Sequence, residues 1–234
     1  MIKPLEFYFD FISPYSFLAH KQIREMENKE GIKVIYKPVL LGGLHNLHGI
    51  KAPAFIPAKA KHMVRDCKLI AEKNNIKFKF NSYFPIRSLN LMRGVLVAEE
   101  DNIKKYYIDN IFNTIWQDGL NMNDTIVIQK ILQNLNVNPK TFSLRTTSSL
   151  IKDLLRKKTN EAYEKGVFGA PTFVVNNKIF WGQDRLEYAL DEYYSWEILN
   201  LLCLIDPKPP SIWDTFSKPI SLRDFAANAD LNPP

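Results

Sequence analysis

Cysteine is scarce in this 234-residue chain: Cys67 and Cys203 stand far apart, and neither belongs to a Cys-x-x-Cys or metal-ligand spacing. That argues against a redox dithiol, a zinc site and a disulfide scaffold, and leaves both as expected buried small apolar residues. No apolar run is long enough to span a bilayer. Residues 1–6 carry an acid and resemble neither a secretory signal nor an arginine-rich transit sequence, so the expected location is cytoplasmic. Low-complexity segments and internal repeats are also lacking. Lys and Arg number 31 against 25 Asp and Glu, a net charge of +6. So modest and diffuse an excess suits an anionic small molecule and gives no sign of nucleic-acid binding, which calls for a concentrated basic face.

What the chain does have is an aromatic run that stops abruptly: Phe7-Tyr8-Phe9-Asp10-Phe11-Ile12-Ser13-Pro14-Tyr15-Ser16. The run has strand character, and Pro14 follows Ser13 where a helix accepts proline, because the first helical N–H has no partner. Ser13 therefore reads as a helix N-cap. The first turn of a helix aims unpaired N–H groups and a partial positive charge outward, which favours an anion in front of it. A cysteine there would be held as thiolate, but this chain has Ser-x-x-Ser, with Ser16 three residues on, and serines form no disulfide. Ser13 can still donate a hydrogen bond to a thiolate carried by another molecule.

Along the chain, a helix over residues 14–28 ends before Gly31, and residues 32–40 alternate as a strand, giving a βαβ unit with two parallel strands. Residues 41–57 contain Gly and Pro without a period and read as a long loop. His45 and His48 lie in it with no Cys, Asp or Glu to complete a ligand set, so no metal site is expected. Helical patterns follow over residues 58–74, 88–99 and 102–116, then after Asp124 and from about Ser148 to a stop at Gly166, with Asn138-Pro139 as a short turn. In the first of these, Met63, Cys67, Ile70 and Ala71 share one face, with Lys59, Lys61, Arg65 and Lys68 set against them. Two β-rich runs, 172–175 and 178–181, flank Asn176-Asn177, which suits a tight antiparallel turn. A last helix opens at Gly182-Gln183-Asp184 and carries Leu186, Leu190 and Tyr193. Residues 206–234 are proline-dense and aperiodic.

The plan is thus α/β: βαβ plus ββα with an all-helical insertion. It resembles the thioredoxin-like fold of DsbA-like proteins, with residues 1–56 and 167–205 as a discontinuous thioredoxin-like domain, 57–166 as the helical insertion and 206–234 as a tail. Residues 9–16, 166–172 and 181–186 together resemble the 2-hydroxychromene-2-carboxylate isomerases and the related kappa-class glutathione transferases. The likeness covers roughly residues 5–200. It implies glutathione as the cofactor, with Ser13 as the catalytic residue that hydrogen-bonds its sulfur. It also implies that Ala170 and a cis Pro171 pair with the cysteinyl backbone through a free N–H and C=O at residue 170. Trp181, Gly182, Gln183 and Asp184 are implied to hold the γ-glutamyl end, Asp184 facing the α-ammonium. Members are usually homodimers.

The chain departs from the family in the loop after the second strand, where His48-Gly49-Ile50-Lys51 stands in place of Gly-Asn, and Phe84 replaces a common tyrosine. Lys51, Phe84 and Arg87, with Lys59 nearby, are the candidates for an acceptor, expected to be an aromatic carboxylate. The leading expectation is a glutathione-dependent isomerase acting on an aromatic-degradation intermediate. A kappa-like transferase or peroxidase shares every glutathione residue, and a non-catalytic binding module of the same fold is the remaining reading.

Overall fold

A computed structural model describes residues 4–205, with side chains through Ser195. The expected tail and the Cys203 side chain lie outside the described residues. Strand β1 (Leu5–Phe9) leads into α1 (Pro14–Glu30), which ends on Gly31 at φ 69°, a left-handed conformation that glycine enters without Cβ strain. Strand β2 (Val34–Pro38) returns parallel to β1. Seven helices follow among the described residues before the sheet resumes: α2 (Leu41–Leu47), α3 (Pro57–Lys73), α4 (Leu89–Glu100), α5 (Lys104–Trp116), α6 (Thr125–Asn134), α7 (Pro139–Thr146) and α8 (Ser149–Glu164). Strands β3 (Thr172–Val175) and β4 (Lys178–Trp181) form an antiparallel hairpin whose turn residues Asn176 and Asn177 have φ of 51° and 65°. Helix α9 (Leu186–Ile205) closes the described chain. The sheet order is β2-β1-β3-β4, with β3 antiparallel to β1. Among the described residues no helix is long and apolar enough to cross a membrane.

Two expectations fail locally. Residues 41–57 are not a plain loop: α2 forms there, followed by a single 3₁₀ turn at Pro53–Phe55. Gly42 and Gly43 masked the period, yet Leu41, Leu44 and Leu47 are spaced three apart, Leu44 is fully buried, and a carboxylate accepts from the helix's first N–H. Asn138-Pro139 is likewise the start of α7, with the Asn138 side chain accepting from the N–H groups of Lys140 and Thr141.

Strand β1 runs through the middle of the core. Phe7 stacks on Phe9 and on Phe173 of β3, each at 5.5 Å, and Phe9 meets Phe112 of α5 at 5.7 Å. Trp116, at the end of α5, is fully buried and donates its indole N–H to the Phe11 carbonyl at 2.8 Å, so the helical segment is pinned to the strand-to-helix loop. Helices α4 and α5 approach closely at Gly94, where a Cβ would collide with the Tyr107 hydroxyl that donates to the Leu91 carbonyl at 3.2 Å. Overpacking and a displaced buried hydrogen bond together predict that Gly94→Ala loses about 3 kcal/mol. Urea unfolding checks this; a loss under about 1 kcal/mol would mean that Tyr107 moves aside freely.

Candidate active site

The site is assembled where β1 ends. Asp10 is fully buried, a carboxylate in the middle of an aromatic run, and it is satisfied by three elements. Its Oδ1 accepts from the Ile12 N–H at 3.0 Å, its Oδ2 from the Leu41 N–H at 2.8 Å at the start of α2, and the Ser88 side chain, next to α4, also bonds to it. Burial pushes the Asp10 carboxyl pKa up, against the pull of these donors. The Asp10 carbonyl accepts from the Ser13 N–H at 3.1 Å.

Ser13 is the N-cap of α1, in extended conformation with Pro14 behind it, and its Oγ accepts from the Ser16 N–H at 3.1 Å. Its hydroxyl proton goes to the Ala170 carbonyl at 2.9 Å, across 157 positions of sequence. This corrects the expectation of a free carbonyl at residue 170: a hydroxyl with one proton to give, 5 % exposed and facing a carbonyl, donates to it. Ser16 is fully buried, and its hydroxyl has no hydrogen-bond partner among the described residues.

The Ala170–Pro171 peptide is cis, as the resemblance implies. The Pro171 carbonyl accepts from the Gly182 N–H at 3.0 Å, which ties the proline loop to the end of β4. Gly182 has φ 112°, and Gln183 and Asp184 form a 3₁₀ turn with Arg185 ahead of α9. Asp184 is exposed and lies 3.4 Å from the Arg185 guanidinium. Trp181 is half-exposed, 4.9 Å from the Phe168 ring, and its indole lies against Gly169 so closely that a Cβ there would collide with Nε1. Gly169→Ala is therefore expected to displace Trp181 or the proline loop and to lose about 1–2 kcal/mol in urea unfolding, with a shift in tryptophan emission.

Ser13, Ala170, Pro171, Trp181, Gly182, Gln183 and Asp184 are thus brought into one continuous set of contacts. The acceptor candidates are not. Phe84 is half-buried on Phe80 at 5.4 Å and Trp116 at 6.0 Å, one contact removed from Phe11, while Lys51 and Arg87 are exposed and form no ion pair among the described residues. Cys67 is buried, and burial pushes its thiol up to about 12, so it supplies no thiolate of its own. Beside it, Tyr15 donates to Asp66 at 2.8 Å, joining α1 to α3.

Sequence reading missed two residues. Asp10 carries a signal, since an acid inside an apolar strand must be hydrogen-bonded. His48 lies next to α2, with Nε2 3.1 Å from the Val167 carbonyl and its ring 4.5 Å from Tyr163. Among the described residues no group of three His, Cys, Asp or Glu gathers around it or anywhere else.

A family model described as DSBA-like thioredoxin domain matches residues 4–194. The chain is 28 % identical over 195 residues to a 2-hydroxychromene-2-carboxylate isomerase of Sphingobium xenophagum, covering 82 % of this chain and 98 % of that protein. It is 24 % identical over 225 residues to glutathione S-transferase kappa 1 of Rattus norvegicus, covering 89 % and 95 %. Its fold matches the solved structure of a 2-hydroxychromene-2-carboxylate isomerase with a TM-score of 0.78 at 22 % identity, over 86 % of this chain and 99 % of the other.

Proposed function

The chain belongs to the DSBA-like thioredoxin domain family, and from that premise we propose that it is a glutathione-dependent isomerase, working as a homodimer, whose Ser13 holds the tripeptide's sulfur as thiolate. The observation that carries this reading is the Ser13 hydroxyl, seated at a helix N-terminus and 2.9 Å from the carbonyl that precedes a cis proline. The site fits glutathione: a hydroxyl at the positive end of a helix for a thiolate, and backbone groups of Ala170 for a peptide. Glutathione supplies a sulfur nucleophile for an electrophilic carbon; the chain supplies everything that ionises and orients it.

Ser13 has one proton and two lone pairs. Ser16 N–H occupies one lone pair and stays there, polarising the hydroxyl. The proton is the movable part. Ser13 turns it from the Ala170 carbonyl towards the sulfur, and Ala170 then offers that carbonyl to a peptide N–H of the ligand. No net hydrogen bond is lost in the exchange. Trp181 and the turn at Gly182, Gln183 and Asp184 extend the same wall for the γ-glutamyl end. A thiol pKa near 8.5 lowered by about two units requires about 2.7 kcal/mol. A hydrogen bond to a charged group contributes about 1.5–3 kcal/mol and a helix terminus up to about 2 kcal/mol, so the groups present suffice.

A kappa-like transferase is the second reading, favoured by the length over which this chain follows the rat protein. Assay with glutathione separates the two: a hydroxychromene carboxylate should be isomerised, and turnover of a chloronitrobenzene alone would move the assignment to the transferase.

A further inference from the structure

Ser13 and Ala170 lie on loops just beyond the paired ends of β1 and β3, where Tyr8 faces Thr172; the ladder brings the loops together, and their spacing past its end needs a further tie. The hydrogen bonds form a circuit. Ser13 N–H reaches the Asp10 carbonyl, and the Asp10 carboxylate accepts from Leu41 N–H at the head of α2. The helix runs on to its C-cap, His48, whose N–H is held by the Leu44 carbonyl at 3.1 Å. Because the Val167 carbonyl can only accept, His48 Nε2 carries a proton and donates it, at 3.1 Å. Val167 then leads through Phe168 and Gly169 to Ala170, whose carbonyl closes the circuit on Ser13. Helix α2 is anchored between the two ends: Leu44 is fully buried in a cluster with Tyr8, Val39, Ala162, Val167 and Val174. The His48 ring, 4.5 Å from Tyr163 and 6.5 Å from Phe168, is wedged against the root of the proline loop.

We propose that His48 is a positioning residue: with Asp10 at the other end, it makes α2 a strut that sets the distance between the Ser13 hydroxyl and the Ala170 backbone. A carboxylate at the head of the helix is favoured by its dipole, and a half-buried ring at its tail, packed on Tyr163 with a directed N–H, resists rotation. Helix α2 thereby transmits the position of β1 to the proline loop. The inference rests on the glutathione reading for its consequence, though not for the tie itself.

Three variants of the full chain separate the parts. His48→Ala removes ring and donor, His48→Phe keeps the ring contacts without the donor, and His48→Gln restores a donor of similar reach. In the ligand-free protein, amide hydrogen exchange at Gly182, which bonds the Pro171 carbonyl, and across residues 167–171 is expected to rise about tenfold in the Ala and Phe variants and to return in Gln. The KM for glutathione is expected to rise five- to tenfold in the same two variants with kcat little changed, because the cleft is mis-spaced while Ser13 is intact. Unchanged exchange in His48→Ala overturns the strut whether or not glutathione binds. Raised exchange with unaltered glutathione affinity overturns the positioning role alone. Failure of the wild type to bind glutathione by calorimetry overturns the reading of the preceding section instead, and with it the role assigned to the gap.

Discussion

Ser13→Gly is expected to cut kcat at saturating glutathione roughly tenfold at pH 7, with the loss shrinking below twofold at pH 9. The arithmetic follows from one hydrogen bond. A donor to a charged sulfur is worth about 1.5–3 kcal/mol, and losing the lower half of that range moves the thiol pKa up by about 1.5 units, from about 6.5 to about 8. Thiolate then falls from about three-quarters of the bound tripeptide to about a tenth at pH 7, whereas at pH 9 both proteins hold mostly thiolate. Glycine is the better substitution than alanine, because Ser13 also caps α1. Removing the cap with alanine costs about 1 kcal/mol of stability and glycine only a few tenths, so the Gly variant isolates chemistry from folding. A pH-independent loss of the same size would mean that Ser13 orients the tripeptide without ionising it.

Stability should fall by about 3 kcal/mol as pH drops from about 6.5 to about 4, and His20 should account for it. His20 is 1 % exposed, stacked at 4.9 Å on Phe112. Its Nε2 lies 2.9 Å from Asp109, which only accepts, so Nε2 carries the proton; Nδ1, 3.1 Å from the Tyr36 hydroxyl, then accepts from it. Both ring nitrogens are satisfied in the neutral form. Arg24 completes the network, donating to the same Asp109 oxygen at 2.8 Å with its guanidinium 4.7 Å above the Tyr36 ring. Burial lowers the His20 pKa to about 4, aided by the Arg24 and Lys21 charges and opposed by Asp109. A histidine whose folded pKa is depressed takes up its proton first in the unfolded chain, so stability is full above the unfolded value near 6.5 and is lost as pH falls to about 4, then levels. Asp109 is shifted down and begins to matter only below that window. The raised pKa of Asp10 acts with the opposite sign, so the useful quantity is the difference between wild type and His20→Gln. Urea unfolding at several pH values should show a shallower slope in the variant; parallel slopes would place the acid sensitivity elsewhere.

Much of this architecture is readable along the chain because the signals are local. Pro14 after Ser13, Gly31, Asn176-Asn177 and Gly166 each fix a helix end or a turn through their own backbone preferences. The contact between Ser13 and the proline loop became legible only by combining motifs from both ends of the sequence. What stayed hidden depends on partners remote in sequence. Helix α2 is seven residues long and contains two glycines; it holds because Asp10 accepts from Leu41 N–H and because Leu44 is buried, and neither fact is visible within residues 41–47. His48 read as a ligand without partners, since its true partner, the Val167 carbonyl, lies 119 positions away and is a backbone atom that any residue could present. The occupied Ala170 carbonyl was invisible for the same reason. Lys51 and Arg87 illustrate the converse: charge alone does not bring exposed side chains into the site's contacts.

The most direct measurement is the ultraviolet titration of the thiolate of glutathione bound to the wild-type protein, alongside the Ser13→Gly complex. An apparent thiol pKa about two units below the free value of about 8.5, moving most of the way back in the variant, is the predicted result. A bound thiol that titrates near 8.5 in both proteins would contradict the account, because Ser13 would then be no more than the cap of its helix.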